Sequence, residues 1–246
     1  MILLLLLVAA ALAAPPLAGE RLRWQVRYAG VAAGEAWAEA RADPLGLVVE
    51  AGAQNAPWYA PIYTMQDLVW STFAPGRGSL RYQTRFREGG FHQDQDMRLY
   101  PDRVEVWRNQ RIDGAWKAWT DTYPPCPGAE DPVSAMYALR QLEGEGPWSA
   151  VVWTGKKAIT LNIVPMGATA LETVFGVVEV RKLMLIAPHK GQVEQRGGFV
   201  VYLTGDERHV PVRAELKSNV GVFRADLIGY RAPDGTSWGA PEAEYP

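Results

Sequence analysis

The sequence has little of what disulfide, metal and nucleic-acid-binding proteins depend on. One cysteine and three histidines occur among 246 residues. This count excludes an internal disulfide framework and a cysteine-cluster metal site, and it disfavours a zinc site built from histidines. Twenty-five basic residues stand against 27 acidic ones, which leaves no basic excess for a phosphate backbone. We therefore expect no metal, no other cofactor and no nucleic-acid partner.

Sequence motifs for activated nucleophiles and phosphate-binding loops are also missing. The chain contains neither G-x-S-x-G nor G-x-x-x-x-G-K-[ST], and Gly155-Lys156-Lys157 alone indicates a turn with two charges. Cys126 stands between prolines without a neighbouring basic residue, which is typical of a free structural thiol.

The longest apolar run lies at the N-terminus. Residues 2–14 form 13 consecutive apolar positions, fewer than the roughly 20 of a membrane-spanning helix and typical of a secretory signal peptide. A small-x-small triplet favours cleavage before Ala14, and a second candidate site follows Ala18. No cysteine follows the run, which excludes lipoprotein processing. We expect a signal peptide over residues 1–18 and a mature periplasmic protein without a transmembrane span; the alternative is an uncleaved anchor or a buried strand.

Beyond this leader, the dominant period of hydrophobicity is two residues. Leu22, Trp24, Val26 and Tyr28 alternate with polar residues, as in a strand with one solvated face. Clusters of Gly, Pro, Asn and Asp separate similar segments at short intervals, and no regular helix alternates with them. We therefore predict a mainly β fold, a single antiparallel and strongly curved sheet or open barrel over residues 19–231. The predicted strands include 34–41, 45–53, 66–73, 91–100, 103–109, 149–154, 158–164, 168–174, 177–187, 198–204, 209–217 and 220–230.

One helix is predicted over residues 132–143, packed on the sheet. Asp131 supplies an N-cap carboxylate, Pro132 suits the first helical position, and Gly144 is a stop. The tail from Ala232 has loop composition, so residues 232–246 are expected to be flexible and outside the core. The apolar stripe of the helix is Val133, Met136, Leu139 and Leu142.

Three segments carry a family resemblance. Residues 131–140 read D-P-V-S-A-M-Y-A-L-R, residues 24–36 have the pattern of a first hairpin, and residues 201–212 with 220–227 that of closing strands. Together they resemble DUF3108, a family of exported bacterial proteins of unknown function with D-P-x-S-x-x-Y-x-x-R at the helix. The resemblance implies a β-rich fold and an envelope location, and it implies no established activity or catalytic residue.

Two groups of polar side chains are open to two interpretations each. Arg140, with Tyr137 beside it, could hold an anionic ligand; alternatively both residues anchor the helix while Ser134 supports its first turn. On a predicted strand, His92, Asp94 and Asp96 share one face, as in a metal or acid–base site. The simpler interpretation pairs them across strands with the arginines of the neighbouring strand, Arg81, Arg85 and Arg87.

The ten tryptophans and ten tyrosines are the most unusual feature. Residues 58–63 place aromatic side chains in a proline-bounded loop, where they can line a pocket mouth or cap the sheet; Trp116 and Trp119 near a predicted turn are similar. We expect Trp58, Tyr59 and Tyr63 to border an apolar cavity, with Arg140 and Tyr137 near its rim. Two strand residues should lie deeper in that cavity, Trp70 and Phe86. The other strand tryptophans are interpreted as core or barrel lining: Trp24, Trp37 and Trp153.

Three functions remain open from the sequence. The leading one is a non-enzymatic envelope protein that binds a lipid or another apolar or amphipathic envelope molecule, or helps to assemble the envelope. A purely structural module that binds an envelope protein through a sheet edge is the second. The third is a glycan-acting enzyme with a carboxylate pair, drawn from Asp67, Glu105, Glu172 and Asp226.

Overall fold

The computed structural model describes residues 17–187, 198–218 and 221–239. Within these ranges one helix packs against one sheet of fifteen strands, and every strand pairing is antiparallel. The elements are β1 (Arg21–Tyr28), β2 (Val31–Asp43), β3 (Gly46–Asn55), β4 (Gln66–Ala74), β5 (Gly78–Glu88), β6 (Phe91–Leu99), β7 (Val104–Ile112), β8 (Ala115–Tyr123), α1 (Pro132–Leu139), β9 (Trp148–Trp153), β10 (Ala158–Thr173), β11 (Gly176–Ile186), β12 (Phe199–Thr204), β13 (Pro211–Ser218), β14 (Gly221–Arg231) and β15 (Ser237–Gly239).

Two meanders joined side by side make up this sheet. Strands β1 to β8 follow one another in space as they do in sequence, and so do β9 to β14. Strand β1 pairs with β14 and joins the two halves, while β15 pairs with β14 on one side of this path. The sheet does not close, because β8 and β9 remain its two ends. The predicted single antiparallel sheet with one packed helix is thus confirmed.

Tight turns make this connectivity possible. Between β7 and β8, Asp113 and Gly114 have φ values of 53° and 80°, the left-handed conformation at both central positions of a type I′ hairpin turn. Ala29 and Gly30, between β1 and β2, have φ values of 48° and 84°. Such turns match the twist of the strands that they join, so neighbouring segments pair directly.

The core lies on the inner face of the sheet, the face that α1 covers. Alternate residues of each strand point to this face and form three clusters of buried apolar side chains. The helix connects them: Tyr137 belongs to the first cluster, Leu139 belongs to the third, and Val133 packs against the first and second. The short helix is therefore stabilised by tertiary packing against all three clusters rather than by its own length.

Several predicted boundaries differ from those in the structure. The helix ends at Leu139 instead of residue 143, because the turn that follows is held by side chains from elsewhere in the fold. Strand β8 was not among the predicted strands, and the two segments predicted within 158–174 form a single strand, β10. A register shift between Pro165 and Ala168 interrupts its pairing and hides the continuous strand in the sequence pattern.

The prediction of a flexible tail from residue 232 is wrong for its described part. Ala232 is buried, β15 pairs with β14, and the Trp238 ring lies 5.6 Å from that of Tyr230 and 5.4 Å from that of Phe175. Aromatic packing overrides the loop-like composition here, while residues 240–246 lie outside the described ranges.

The predicted leader lies almost entirely outside the described residues. The structure begins at Leu17, and Leu17 and Ala18 pack against the first core cluster. In the ranges that are described, no helix has the length and apolar character needed to cross a bilayer.

Candidate functional site

A cavity of about 290 Å³ lies between α1 and the first four strands. Its sheet side is formed by small residues, because the inner-facing positions of β2 and β3 include Ala36, Ala38, Ala51 and Ala53. Alanine side chains are too short to fill the space under the helix, and an apolar void remains there. The helix side of this inner cavity consists of Val133, Met136, Tyr137 and Arg140, and Trp24 forms part of the wall.

A second cavity, of about 530 Å³, lies further along the same strands. On β1 the lining continues from Leu22 and Trp24 to Val26 and Tyr28, and on β3 it continues from Ala53 to Asn55. The two cavities thus follow one another along the inner faces of the same strands. We call them the inner and outer cavities and, together, the trough.

At Gly34 on β2, the backbone of β3 comes too close for a side chain, so none projects into the outer cavity from this position. A Cβ atom on Gly34 would lie 2.3 Å from the carbonyl oxygen of Gln54, so only glycine fits this position. At the far end the cavity is bordered by Tyr59 and Tyr63 of the predicted aromatic loop, and by Phe223 of β14. The trough therefore runs from the helix to this loop.

A buried ion pair marks the helix end of the trough. Arg140 Nη1 and Nη2 donate to the two carboxylate oxygens of Glu20 at 2.6 and 2.8 Å, with 3% and 0% of the respective side chains exposed. The hydroxyl of Tyr230 also donates to Glu20, at 3.0 Å. This two-point geometry and the extra donor satisfy charges that would be costly to bury alone.

The same arginine fixes the C-terminal end of α1. Arg140 Nη2 donates to the carbonyl oxygen of Arg208 at 3.0 Å, and Nδ1 of His209 lies 2.6 Å from the carbonyl oxygen of Arg140 itself. The segment between β12 and β13 therefore holds the end of the helix. This geometry corresponds to the anchoring interpretation of Arg140, because both terminal nitrogens of its guanidinium contact the chain itself.

The N-terminal end of α1 is fixed by Asp131, whose predicted capping role is confirmed. Its Oδ1 accepts hydrogen bonds from the backbone nitrogens of Val133 and Ser134 at 2.8 and 3.0 Å, and the Ser134 hydroxyl accepts one from the Asp131 nitrogen. Its Oδ2 accepts a hydrogen bond from each of the buried hydroxyls of Ser71 on β4 and Ser79 on β5, both at 2.6 Å. The cap thus also ties the helix to two strands.

One carboxyl group in the wall of the trough, that of Asp67, has a second carboxyl group, that of Glu88, as its neighbour. Asp67 lines the inner cavity and accepts a hydrogen bond from the backbone nitrogen of Arg87 at 3.0 Å. Burial, followed by the nearby carboxyl of Glu88, raises the pKa of Asp67 to about 7. The hydroxyl of Tyr63 donates to Glu88 at 3.3 Å, so this pair connects the wall to the aromatic loop.

Only some of the aromatic residues predicted for the site line the trough. Tyr59 and Tyr63 line the outer cavity, whereas Trp58 is 54% exposed and donates from Nε1 to the carbonyl oxygen of Ala32 at 3.0 Å. Phe86 lines neither cavity. Trp70 lies on the outer face, opposite to Val69 of the inner cavity and 5.8 Å from the guanidinium of Arg85.

Sequence reasoning missed two features of the trough. The first is Glu20, an isolated acidic residue whose partner is 120 positions away; no local pattern marks such a pair. The second is the run of small inner-facing residues on β2, which was visible as Gly and Ala at every second position: Gly34, Ala36, Ala38 and Ala40.

Comparison with known proteins agrees with the family resemblance. The family described as "Protein of unknown function (DUF3108)" matches residues 23–228. The chain belongs to the DUF3108 family. Among curated proteins, no match was found.

A crystal structure supports the barrel-like architecture of this DUF3108 chain. It is that of a beta-barrel-like protein of the domain of unknown function DUF1849 from Brucella abortus. The two chains superpose with a TM-score of 0.60 at 11% identity, over 86% of the DUF3108 chain and 96% of the other. At this identity the likeness shows the fold alone.

Of the candidate residues on β6 of the DUF3108 chain, Asp94 and Asp96 form ion pairs with arginines of β5. Arg81 donates to both carboxylate oxygens of Asp96 at 2.8 Å, and Arg87 donates to Asp94 at 2.7 Å, which confirms the predicted pairing across strands. Throughout the described ranges, no group of three or more His, Cys, Asp or Glu side chains lies close enough to hold a metal ion. Of the four carboxylates considered for glycan chemistry, Asp67 is the one that lines the trough, whereas Glu105 and Asp226 pair with arginines and Glu172 lies on β10.

Proposed function

We propose that this DUF3108 protein is exported to the periplasm and binds an apolar or amphipathic envelope molecule in the trough, without catalysing a reaction. The observation that carries this proposal is the apolar space between α1 and the small residues of β2 and β3. Its two cavities, about 290 and 530 Å³, are of the size of ligand pockets, which span about 300–1,000 Å³.

The cost of an empty apolar space supports a ligand. Both cavities are partly open, so apolar lining residues such as Trp24 and Val69 remain partly exposed to water, and covering apolar surface is favourable. Larger side chains at Ala36 or Ala38 would fill the inner cavity and gain contacts with the helix. A ligand that enters the trough recovers these contacts, which gives the small residues a function.

The proposed location is based on the N-terminal segment. The 13-residue apolar run at positions 2–14 has the length of a signal-peptide core, and the resemblance to DUF3108 implies an envelope location. A protein of this kind meets lipids and other amphiphiles of the envelope, and the trough suits their apolar parts.

A glycan-acting enzyme is the second candidate, favoured by one observation. Asp67, with a pKa raised to about 7 beside Glu88, has the protonation behaviour of a general acid. The rest of the inner cavity wall is dominated by Trp, Ala, Val and Met side chains, which suit an alkyl chain better than a sugar. We therefore rank binding above catalysis.

Filling the trough is the direct test. A hydrophobic fluorescent probe such as cis-parinaric acid should bind the wild-type protein at one molecule per chain and quench tryptophan emission. Ala53→Leu, which places extra atoms in the inner cavity, should weaken this binding at least tenfold. The control is Ala118→Leu on the exposed face of β8, which should leave the affinity unchanged. Equal binding by both variants and the wild type would show that the probe binds elsewhere and would overturn the proposal.

A further inference from the structure

The inner cavity gives a ligand almost no polar contact. Its polar helix residues are held by the chain itself, because Arg140 donates to Glu20 and the Tyr137 hydroxyl interacts with Glu20 as well. On the wall, Nε1 of Trp24 donates to the carbonyl oxygen of Pro211 at 2.9 Å. The surface that remains open to the cavity is almost wholly apolar. An oxygen of a ligand placed here would lose its contact with water and gain no partner, which is unfavourable.

The outer cavity is larger and more polar. Its volume is about 530 Å³, against about 290 Å³ for the inner cavity, and its lining includes the side chains of Tyr28, Tyr59, Tyr63, Gln54 and Asn55. Gln54 and Tyr63 are exposed to solvent, so a polar group here keeps hydrogen bonds to hydroxyls, amides or water. None of the described residues that line this cavity is charged, so an ion would lie here without a counter-charge. The outer cavity therefore suits an uncharged polar group.

The lining of β1 shows how long the apolar part of the trough is. Leu22, Trp24 and Val26 follow one another on its inner face, and Tyr28 comes next. The distance from Leu22 to Val26 is about 14 Å at ~3.4 Å per residue. One leaflet accounts for about half of the ~30 Å hydrocarbon core of a bilayer. The apolar part of the trough therefore matches the length of one lipid chain.

We infer that the ligand is a single-chain amphiphile with an uncharged, hydroxyl-bearing head group, bound with its chain end under α1 and its head group in the outer cavity. The chain lies along Leu22, Trp24 and Val26 of β1, next to the small inner-facing residues of β2 and β3. The head group lies beside Tyr59 and Tyr63. This inference rests on the proposed function and adds the class and the orientation of the ligand.

A photoreactive chain tests the orientation. Monododecanoylglycerol with a diazirine at the last carbon of its chain should label Val133 or Met136 of α1, as located by mass spectrometry. Labelling of Tyr59, Tyr63 or Phe223 instead would place the chain end in the outer cavity and overturn the inference, while the proposed function would stand. Labelling confined to residues outside both cavity linings would overturn the inference and the proposed function together.

Amphiphiles that share one chain and differ in charge test the head group. Monododecanoylglycerol, dodecanoate and dodecyltrimethylammonium are titrated by calorimetry at about pH 8, below the concentrations at which they form micelles. The uncharged compound should bind the wild-type protein about tenfold or more tightly than either ion, because the outer cavity has no counter-charge to offer. Equal or tighter binding of dodecanoate or of dodecyltrimethylammonium would overturn the inference.

Chain length tests where the chain ends. Monododecanoylglycerol should bind the wild-type protein about 100-fold more tightly than monooctanoylglycerol, because its additional methylene groups leave water. Ala38 lines the inner cavity at its helix end, so Ala38→Leu should reduce this ratio to about tenfold or less, whereas a loss of stability alone would weaken both ligands equally. The control Ala118→Leu on the exposed face of β8 should preserve the ratio. An unchanged ratio in Ala38→Leu would overturn the inference.

The outcomes separate this inference from the proposed function. Binding of cis-parinaric acid without binding of monododecanoylglycerol would overturn the inference alone. If none of these amphiphiles binds the wild-type protein, the proposed function itself fails.

Discussion

Replacing Asp131 by alanine should destabilise the protein by about 2.5–4 kcal/mol. An ordinary N-cap aspartate contributes about 0.5–2 kcal/mol, which covers its two bonds to the backbone nitrogens of α1. In this fold the second carboxylate oxygen also accepts hydrogen bonds from the buried hydroxyls of Ser71 and Ser79. Each buried donor that loses its acceptor adds about 1–3 kcal/mol, and rotation of the hydroxyls keeps this contribution near the lower limit.

The variant Asp131→Asn separates the contribution of the negative charge from that of the hydrogen-bond geometry. The amide has the same shape, its oxygen still caps the helix, and its nitrogen can donate to a serine oxygen. We therefore expect a loss of about 1–2 kcal/mol, corresponding to the weakening of charge-assisted bonds to neutral ones. Asp102→Ala serves as the surface control, because 71% of the Asp102 side chain is exposed and its ion pair with Arg103 lies at the surface; its effect should stay within about 0.5 kcal/mol.

Urea unfolding followed by tryptophan fluorescence and by circular dichroism measures all three losses. Linear extrapolation gives the free energy of unfolding, and an unchanged slope shows that the variants differ in stability alone. If Asp131→Ala loses no more than the 0.5–2 kcal/mol of an ordinary cap, the contacts with Ser71 and Ser79 contribute nothing and the reasoning is refuted.

Three further predictions concern the charged groups and the N-terminus. Burial raises the pKa of Asp67 in the folded protein from 3.8 to about 7. Folding therefore favours the protonated carboxyl group, and the wild-type protein loses stability as the pH rises from about 4 through 7. Urea titrations should show Asp67→Asn about 1–2 kcal/mol more stable than the wild type at about pH 8 and equal to it at about pH 4. Glu20→Ala leaves the Arg140 charge buried and should cost about 3–5 kcal/mol in the same assay, and a loss below 1 kcal/mol would contradict this. The structure favours the shorter of the two predicted leaders, because Leu17 and Ala18 pack against the first core cluster. N-terminal sequencing of the periplasmic protein should therefore begin at Ala14 rather than after residue 18, and a start at Gly19 would contradict this.

Trp70 shows what the alternation of apolar and polar residues along a strand can predict and what it cannot. The pattern of β4 predicts that Trp70 and Val69 face opposite sides of a strand, and the structure agrees. The sequence of β4 alone does not determine which side of the strand faces the helix. The pairing of β4 with β3 and β5, and the bonds from Ser71 and Ser79 to Asp131, decide that Val69 faces inward and Trp70 outward.

Local interactions are the part of this protein that its sequence determined alone. The two-residue period of the strands, the Asp113-Gly114 turn and the Asp131 cap all involve residues within a few positions of one another, so the sequence pattern contains the whole interaction. The antiparallel meander and the start of the helix follow from such signals.

The tertiary structure alone decided the interior of the site. Glu20 and Arg140 lie 120 positions apart, and the trough exists because small residues on neighbouring strands come together beneath one helix. Whether a charged residue is paired, and whether an alanine leaves a cavity, depends on the residues that the fold brings next to it. The chain therefore specifies its strands locally, whereas burial, charge pairing and empty space arise only when the strands are assembled.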